Sequence, residues 1–544
     1  MLFATVVLYL MVLGMAGVLL ACAPGRLALW LTRVGWALVA LALIGALATA
    51  GLYYTHDTYM GDLWVALNAL KRVQDGAVAH LDFASPIGPL YYWIHGLTVH
   101  ISDLNLRAVI LSNGVFALIV LGLGWAMLRA RISPVGMALA LALAVTTTLS
   151  VREIDGLFAQ LSSSALAPYN RWAWGLMIPV TLRLCAPVPE DRTDPLGVLA
   201  LSLGLAGLLL LKVTYGAAAL AVLVAGLAIR PRGWIEGLAA LALMVLWLVL
   251  AQMLSGQLLA YRADLSTAAG LQSDLINRLW KGIRLGPEAG VFALGALGVL
   301  ALARPSPGAS AWVWARTHWR AALMSLGCVL AGWLVLVQNH PQSEAPLYAA
   351  AALVAWEWGR TRDGGQIAPL VLTALIVLRA PLVDGAMGLA QLADTRTQPT
   401  VEAFAGTAFG DLAIPAKVLR RTPQGACVTP TCADIARMQS GRELLDAHPA
   451  PPGAILALNF SNPFPALTGT LGPRHAPIWF HRGRSFGPEA HPEPARLFSD
   501  VGRVLVAKNE PNAAVLREIY GPVLDRAFTK AGETADWVLY LRAP

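Results

Sequence analysis

The sequence predicts a polytopic α-helical membrane protein of about twelve transmembrane helices, followed by a C-terminal external α/β domain. Three observations predict it. Of 544 residues, 57% are hydrophobic and only 13% are charged, where a soluble chain carries about 25% charged residues. Apolar segments recur through residues 1–384, many near the ~20 residues that cross about 30 Å of hydrocarbon. Beyond residue 385, proline, glycine and charge increase, and no membrane-length apolar run returns.

In chain order the apolar segments fall near 2–22, 34–54, 106–128, 134–150, 171–187, 196–213, 215–230, 234–254, 288–303, 321–338, 346–359 and 366–383. The first lacks a basic leading region, and its run of about 20 residues is long for a secretory leader. It reads as a retained helix. Several others sit near the short limit for crossing, and 196–230 divides in more than one way.

Alternate connections carry the arginines: Arg26/Arg33, Arg129/Arg131, Arg183/Arg192, Arg230/Arg232, Arg304/Arg316/Arg320 and Arg360/Arg362. An excess of basic residues marks cytoplasmic loops. The remaining connections then face outward: 53–105, 150–170, Lys212–Gly216, 255–287, Gln338–Ala345 and everything after Val383. The 255–287 loop departs from the pattern with Arg262, Arg278, Lys281 and Arg284, and a basic face there suits lipid phosphate. The net charge of +8 is thus spent on membrane orientation, which argues against nucleic acid as a partner. Alanine- and arginine-rich usage with short loops suggests a bacterial inner (plasma) membrane, with the C-terminal domain on the periplasmic side.

The polar stretch from Tyr53 to Trp93 interrupts this apolar chain. Asp57 stands just past a predicted helix end, where carboxylates are uncommon without a partner, a cation or a reacting group. Tyr59, Leu63, Leu67, Leu70 and Val73 then recur at helical spacing, with Asp62, Lys71, Arg72 and Asp75 largely opposite. That pattern predicts a helix lying flat on the bilayer. Pro86, Gly88 and Pro89 pin an extended turn, and Tyr91–Trp93 reads as an interfacial aromatic belt.

Residues 385–544 are long enough to bury a core of their own. GAILALNF, RVLVAKN and DWVLYLRA read as strands, and NAAVLREIYGPVLDRAFTKA reads as a helix. Cys427 and Cys432 frame CVTPTC. Their closeness permits a disulfide in an oxidising compartment, the alternative being two free thiols. Cys22, Cys185 and Cys328 lie in apolar runs as small hydrophobes.

Polar residues gather on the outward side. They are His56, Asp57 and Asp82; Tyr169, Asn170 and Arg171 at the mouth of a helix; Lys212 and Tyr215; Gln338, Asn339, His340 and Glu344; and Arg379 and Asp384. Carboxylates and cations within a few residues of one membrane surface suit a reaction on a lipid-linked phosphate.

The stretch HDTYMGDLWVALNALKRVQDG followed by DFASPIGPLYYW resembles the GT-C superfamily of membrane glycosyltransferases. It is most similar to the branch related to protein O-mannosyltransferases and aminoarabinose transferases. That branch shows an acid after an early helix, a flat juxtamembrane helix and a turn of the form F-x-x-P-P-L-x-Y-W. Asp57 matches the first acid and Pro86–Trp93 the turn, but Thr58 replaces the second acid and Ala84-Ser85 replaces a Glu-Lys pair. The match covers about forty residues.

The resemblance implies transfer of a sugar from a polyprenyl-phosphate-linked donor to a lipid, glycan or protein acceptor at the outer face. Asp57 would be the base, with Asp82 or Asp62 as a second acid. Lys212, Arg171, His340 and Arg379 would contact the donor phosphate; His56, Tyr59, Asn170, Tyr215, Gln338, Asn339 and Glu344 would contact substrate. A divalent ion (Mg, Mn or Zn) held by Asp57 and another carboxylate is compatible with these residues, though no motif indicates one. Each assignment has a plainer alternative. Asp57 suits a helix N-cap, Lys212 and Arg171 suit anchoring at head groups, and QNHPQSE suits a polar turn. Two other functions fit a polytopic chain: a solute transporter, and a polysaccharide assembly or export component. A transporter would show internal repeats and mid-membrane charge; here there is no clear repeat, and the charges cluster at segment ends.

Overall fold

Among the described residues, helices build the chain as far as Thr397, and every strand lies beyond residue 399. The computed structural model describes residues 24–48, 60–150, 168–187, 194–229, 233–271, 275–303, 311–338, 345–360, 367–397, 399–449 and 452–543. The expected first helix at 2–22 therefore lies outside the described residues, as do His56, Asp57, Tyr59, Asn339, His340 and Glu344.

The helices are α1 (Pro24–Ala48), α2 (Gly61–Gln74), α3 (Pro89–Ser102), α4 (Leu106–Leu128), α5 (Pro134–Leu149), α6 (Pro168–Cys185) and α7 (Pro195–Leu211). They continue with α8 (Val213–Ile229), α9 (Trp234–Ser255), α10 (Gln257–Leu271), α11 (Leu275–Leu302), α12 (Ala311–Gln338), α13 (Pro346–Gly359) and α14 (Ile367–Thr397). Proline opens many of them, at the position where its missing N–H costs nothing. Among the described residues six helices are long and apolar enough to cross a membrane, within α1, α4, α9, α11, α12 and α14. The apolar helices α5, α7 and α8 are shorter, at 10–17 residues. Large apolar side chains stand exposed on the outer helices, among them Leu238, Leu246 and Leu254 of α9 and Leu294 of α11. Such a continuous apolar face is what lipid covers.

The 255–287 stretch, expected as a loop, is helical over most of its described length. Residues 257–271 form α10, and α11 begins at Leu275, well before the apolar segment expected at 288–303. Hydropathy marks only the lipid-length core of a helix and misses its amphipathic extension.

Several of the arginine-bearing connections meet at one end of the bundle. Arg183 pairs with Asp194 at 2.6 Å and reaches Glu236 at 3.4 Å. Arg131 also pairs with Glu236, and Arg129 lies 3.6 Å from Asp194. Nearby in sequence, Glu357 accepts from Ser133 and pairs with Arg360 at 2.7 Å. A common face for the 129–133, 183–194 and 234–236 segments is what the alternation of basic connections requires.

Beyond α14 come β1 (Thr400–Glu402), β2 (Ala413–Pro415), α15 (Pro430–Asp446), β3 (Ala454–Leu458), α16 (Phe464–Thr468), α17 (Pro494–Leu497), β4 (Val501–Ala507), α18 (Ala513–Ala527), β5 (Phe528–Glu533) and β6 (Trp537–Arg542). The four-stranded sheet runs in the order β3-β4-β6-β5, with β3 and β4 parallel and the other pairs antiparallel. Strand β3 is buried along its whole length, and both strand faces meet apolar clusters. Cys427 and Cys432 are joined by a disulfide that ties the segment ahead of α15 to that helix's first turn.

Helix α2 does not present its apolar stripe to lipid. Leu63, Leu67 and Leu70 pack into one cluster with Phe404, Phe464 and Trp537, while Val65 and Ala69 join the core of the bundle. The Trp64 and Phe404 rings meet edge to face at 5.6 Å. The helix is a plate between the bundle and the C-terminal region. Its polar side is covered too. Arg72 is 2% exposed and donates to the carbonyls of Ala476 at 2.7 Å and Pro477 at 3.4 Å. Burial draws its guanidinium down to about 10, so it remains charged at neutral pH. Asn68 donates to the Ile478 carbonyl at 3.1 Å, and the Ile478 N–H donates to the Ala84 carbonyl at 3.0 Å. The expected aromatic belt is likewise interior: Tyr91 and Tyr92 open α3 at 1% and 2% exposure. An amphipathic period fixes which side chains are buried but not against what.

Candidate functional site

At the end of the bundle opposite the arginine network, the chain turns from α7 into α8 through one extended residue, Lys212. The turn of residues 75–88 presses on this junction. The Gly88 N–H donates to the Leu211 carbonyl at 2.9 Å, and a Cβ at residue 88 would stand 2.0 Å from the Leu210 carbonyl oxygen. Only glycine fits there. The proline-rich turn thus positions Lys212 through backbone contact.

Lys212 Nζ donates to Asn170 Oδ1 at 2.9 Å and lies 5.1 Å above the Tyr169 ring. Asn170 and Tyr169 come from the first turn of α6. Lys212 is half-buried as a residue, with its ammonium end enclosed by these groups. Burial draws that ammonium down to about 7, and the like charges of Arg484 and Lys281 push the same way, against the opposing charge of Asp62. Three cations from three distant segments therefore share one field with a carboxylate. Asp62 lies in the first turn of α2, and its charge also acts on Tyr91 and Tyr169. Tyr215 is fully buried beneath, edge-on to Trp174 at 4.9 Å, and its hydroxyl has no hydrogen-bond partner among the described residues.

The other expected residues are placed as follows. Arg171, next to Asn170, turns to the Ser150 carbonyl, and the Ser150 hydroxyl donates to Asp384 at 3.0 Å. Arg379 lies half-buried on α14, one turn before Asp384. Gln338 closes α12 and accepts from Arg278 at 2.8 Å. Asp82 accepts from the Val78 N–H at 2.7 Å, closing the turn ahead of Phe83. Asp57, His56, Tyr59, Asn339, His340 and Glu344 lie outside the described residues. Among the described residues no group of three or more His, Cys, Asp or Glu converges as metal ligands would.

Arg484, offered by the sequence with His475, His481 and Arg482 either as a surface-loop residue or as a contact for a sugar acceptor or lipid phosphate, acts on Lys212 by its charge across 272 positions of chain (484 − 212). One feature was not read from the sequence. His80 and Asp264 form a pair, Nδ1 to Oδ2 at 2.7 Å, with the Ser85 N–H also donating to Asp264 at 2.9 Å. Trp479 joins the same neighbourhood, its ring parallel to Tyr169 with centroids 6.5 Å apart.

No protein-family model and no curated protein matches the chain. Among solved structures it is similar to ArnT from Cupriavidus metallidurans in the apo state, at 12% identity over 93% of this chain and 98% of that one, with a TM-score of 0.38. The same protein bound to undecaprenyl phosphate gives 11% identity, the same coverage and a TM-score of 0.36. At that level the likeness carries no argument, and the functional assignment rests on this chain's own residues.

Proposed function

We propose that this chain is a membrane glycosyltransferase that moves a sugar from a polyprenyl-phosphate-linked donor to an acceptor hydroxyl on a lipid, glycan or protein, at the outer face of a bacterial inner membrane. The observation that carries this is Lys212, held by Asn170 and the Tyr169 ring at one end of an apolar bundle, in the fields of Arg484, Lys281 and Asp62. A phosphate at the bilayer surface meets cations there, while its hydrocarbon tail meets exposed apolar helix faces.

The donor is a phosphodiester with one negative charge. As the acceptor oxygen bonds to the anomeric carbon and the bond to the phosphate oxygen breaks, the leaving polyprenyl phosphate gains a second charge. Fixed cations placed where charge develops lower that barrier, typically by about 3–4 kcal/mol for one good contact. The acceptor hydroxyl is a weak nucleophile, and a carboxylate that takes its proton accelerates attack by about 10²–10⁴-fold. Asp57 is assigned that role, with Asp62, five residues later, holding the electrostatic balance of the pocket. A divalent ion beside Asp57 would add to the cationic charge.

Equilibrium binding of a radiolabelled C55 polyprenyl phosphate to the nanodisc-embedded chain tests the phosphate site. Arg484→Gln should weaken binding by about tenfold or more. Equal binding by wild type and variant would remove the basic cluster from the mechanism and bring the transporter and assembly functions forward.

A further inference from the structure

A second polar space opens beside the cationic cluster. Residues 80–86, helix α10 and segments 475–497 enclose a cavity of about 480 Å³. Its charged lining is mixed: the carboxylates Asp82, Asp264 and Glu493 against the guanidiniums of Arg484 and Arg496. The imidazoles of His80, His475 and His491 complete it. Charges of both signs in near balance leave little net field for a phosphate, in contrast to the cluster around Lys212. They offer instead many separate donors and acceptors, which is how a site holds the hydroxyls of an uncharged ligand.

His80 is the fixed point of this lining. Its side chain is fully buried and its Nδ1 is held by Asp264. Its Nε2 is buried with no hydrogen-bond partner among the described residues. A buried ring nitrogen of that kind calls for a partner. The backbone supports a placed side chain: His80 adopts φ +68°, a conformation costly for most residues and retained where the surroundings impose it. The His80 N–H donates to the Phe83 carbonyl at 2.8 Å, and the ring packs against Tyr261 at 4.8 Å. Aspartate, histidine and turn therefore fix the His80 ring in the wall of a polar cavity.

We infer that this cavity binds a neutral, polyhydroxylated glycan, with the buried His80–Asp264 pair setting the shape of its wall. Its service as the acceptor subsite rests on the transferase function proposed above. Arg484 lines the cavity and its charge also acts on Lys212, so one guanidinium is common to the cavity and the cationic cluster. A soluble oligosaccharide and a glycolipid head group present the same chemistry to the cavity.

The test uses the full chain in nanodiscs prepared without glycosidic detergent. Mannotriose, cellotriose and maltotriose are titrated by saturation-transfer NMR, each free and as its hexadecyl glycoside, with glucose 1-phosphate as the charged comparator. Saturable binding of at least one neutral trisaccharide, weakened tenfold or more by both His80→Asn and Glu493→Gln, is the expected result. Asparagine tolerates the positive φ at this position, so loss of binding is not loss of the turn. C55 polyprenyl phosphate binding by His80→Asn should stay within twofold of wild type. Preference for the free sugar marks a soluble glycan, and preference for the hexadecyl form marks a glycolipid. Binding that neither variant changes overturns the location. Absence of trisaccharide binding, with polyprenyl phosphate still bound, overturns the glycan site and leaves the transferase proposal standing. Trisaccharide binding without polyprenyl phosphate binding overturns the transferase proposal and keeps the glycan site.

Discussion

Replacing Lys212 with methionine removes an ammonium and keeps most of its aliphatic stem. In the native chain that ammonium donates to Asn170 at 2.9 Å and faces the Tyr169 ring at 5.1 Å, within the fields of Arg484, Asp62 and Lys281. If it contacts donor phosphate, one hydrogen bond to a charged group is lost, at about 1.5–3 kcal/mol. With each 1.4 kcal/mol worth about tenfold, donor KM should rise by roughly 10- to 150-fold. Stability should move the other way or not at all. Burial opposes the ammonium, so methionine relieves desolvation. The unpaired Asn170 carbonyl and the partial exposure of the residue reduce that gain. Donor KM and Tm, measured on the same nanodisc preparation for Lys212→Met and Lys212→Arg, separate the two effects. A donor KM within twofold of wild type in Lys212→Met would refute the phosphate role. A Tm lowered by several degrees would show that the lysine serves the fold instead.

Four further outcomes follow from the same geometry. Because Lys212 loses its proton near pH 7, kcat/KM for the donor should fall about fivefold between pH 7 and pH 8, and Lys212→Arg should flatten that limb. The linkage sign is fixed too: between about 7 and 10.5 the unfolded lysine holds a proton that the native one has released, so this group makes stability rise with pH over that window. Gly88→Ala forces a Cβ into the Leu210 carbonyl, so it should cost about 1–3 kcal/mol of stability, read by thermal unfolding, and weaken donor binding by displacing Lys212. Arg72→Met leaves the Ala476 and Pro477 carbonyls without their donor, and hydrogen exchange across 470–500 should accelerate relative to wild type.

What the sequence disclosed follows from what periodicity and hydropathy measure. Helices such as Leu106–Leu128 and Pro134–Leu149 stand close to their expected bounds, because lipid and core both demand apolar side chains there. The strands at 454–458, 501–507 and 537–542 coincide with short apolar runs punctuated by glycine, proline or charge. Burial partners were not legible. Leu63, Leu67 and Leu70 make the same stripe whether it meets lipid or Phe404 and Trp537. Tyr91 looks like part of an interfacial belt until α6 is seen against it. In the site, Lys212 and Asn170 were visible as polar breaks in apolar runs, since charge at a helix end is conspicuous. His80 and Asp264 were not, because 184 residues separate them and neither stands in a spaced motif.

The most direct test of the central claim is a transfer assay on purified protein, with a panel of polyprenyl-phosphate sugars and wild type beside Asp57→Asn. That substitution removes the proton acceptor and nearly preserves its shape. Turnover of at least one donor by wild type, with donor binding retained and kcat reduced about 10²–10⁴-fold in the variant, is the predicted result. Equal turnover by the two proteins would contradict the assignment of Asp57, and failure of wild type to consume any donor would contradict the glycosyltransferase itself.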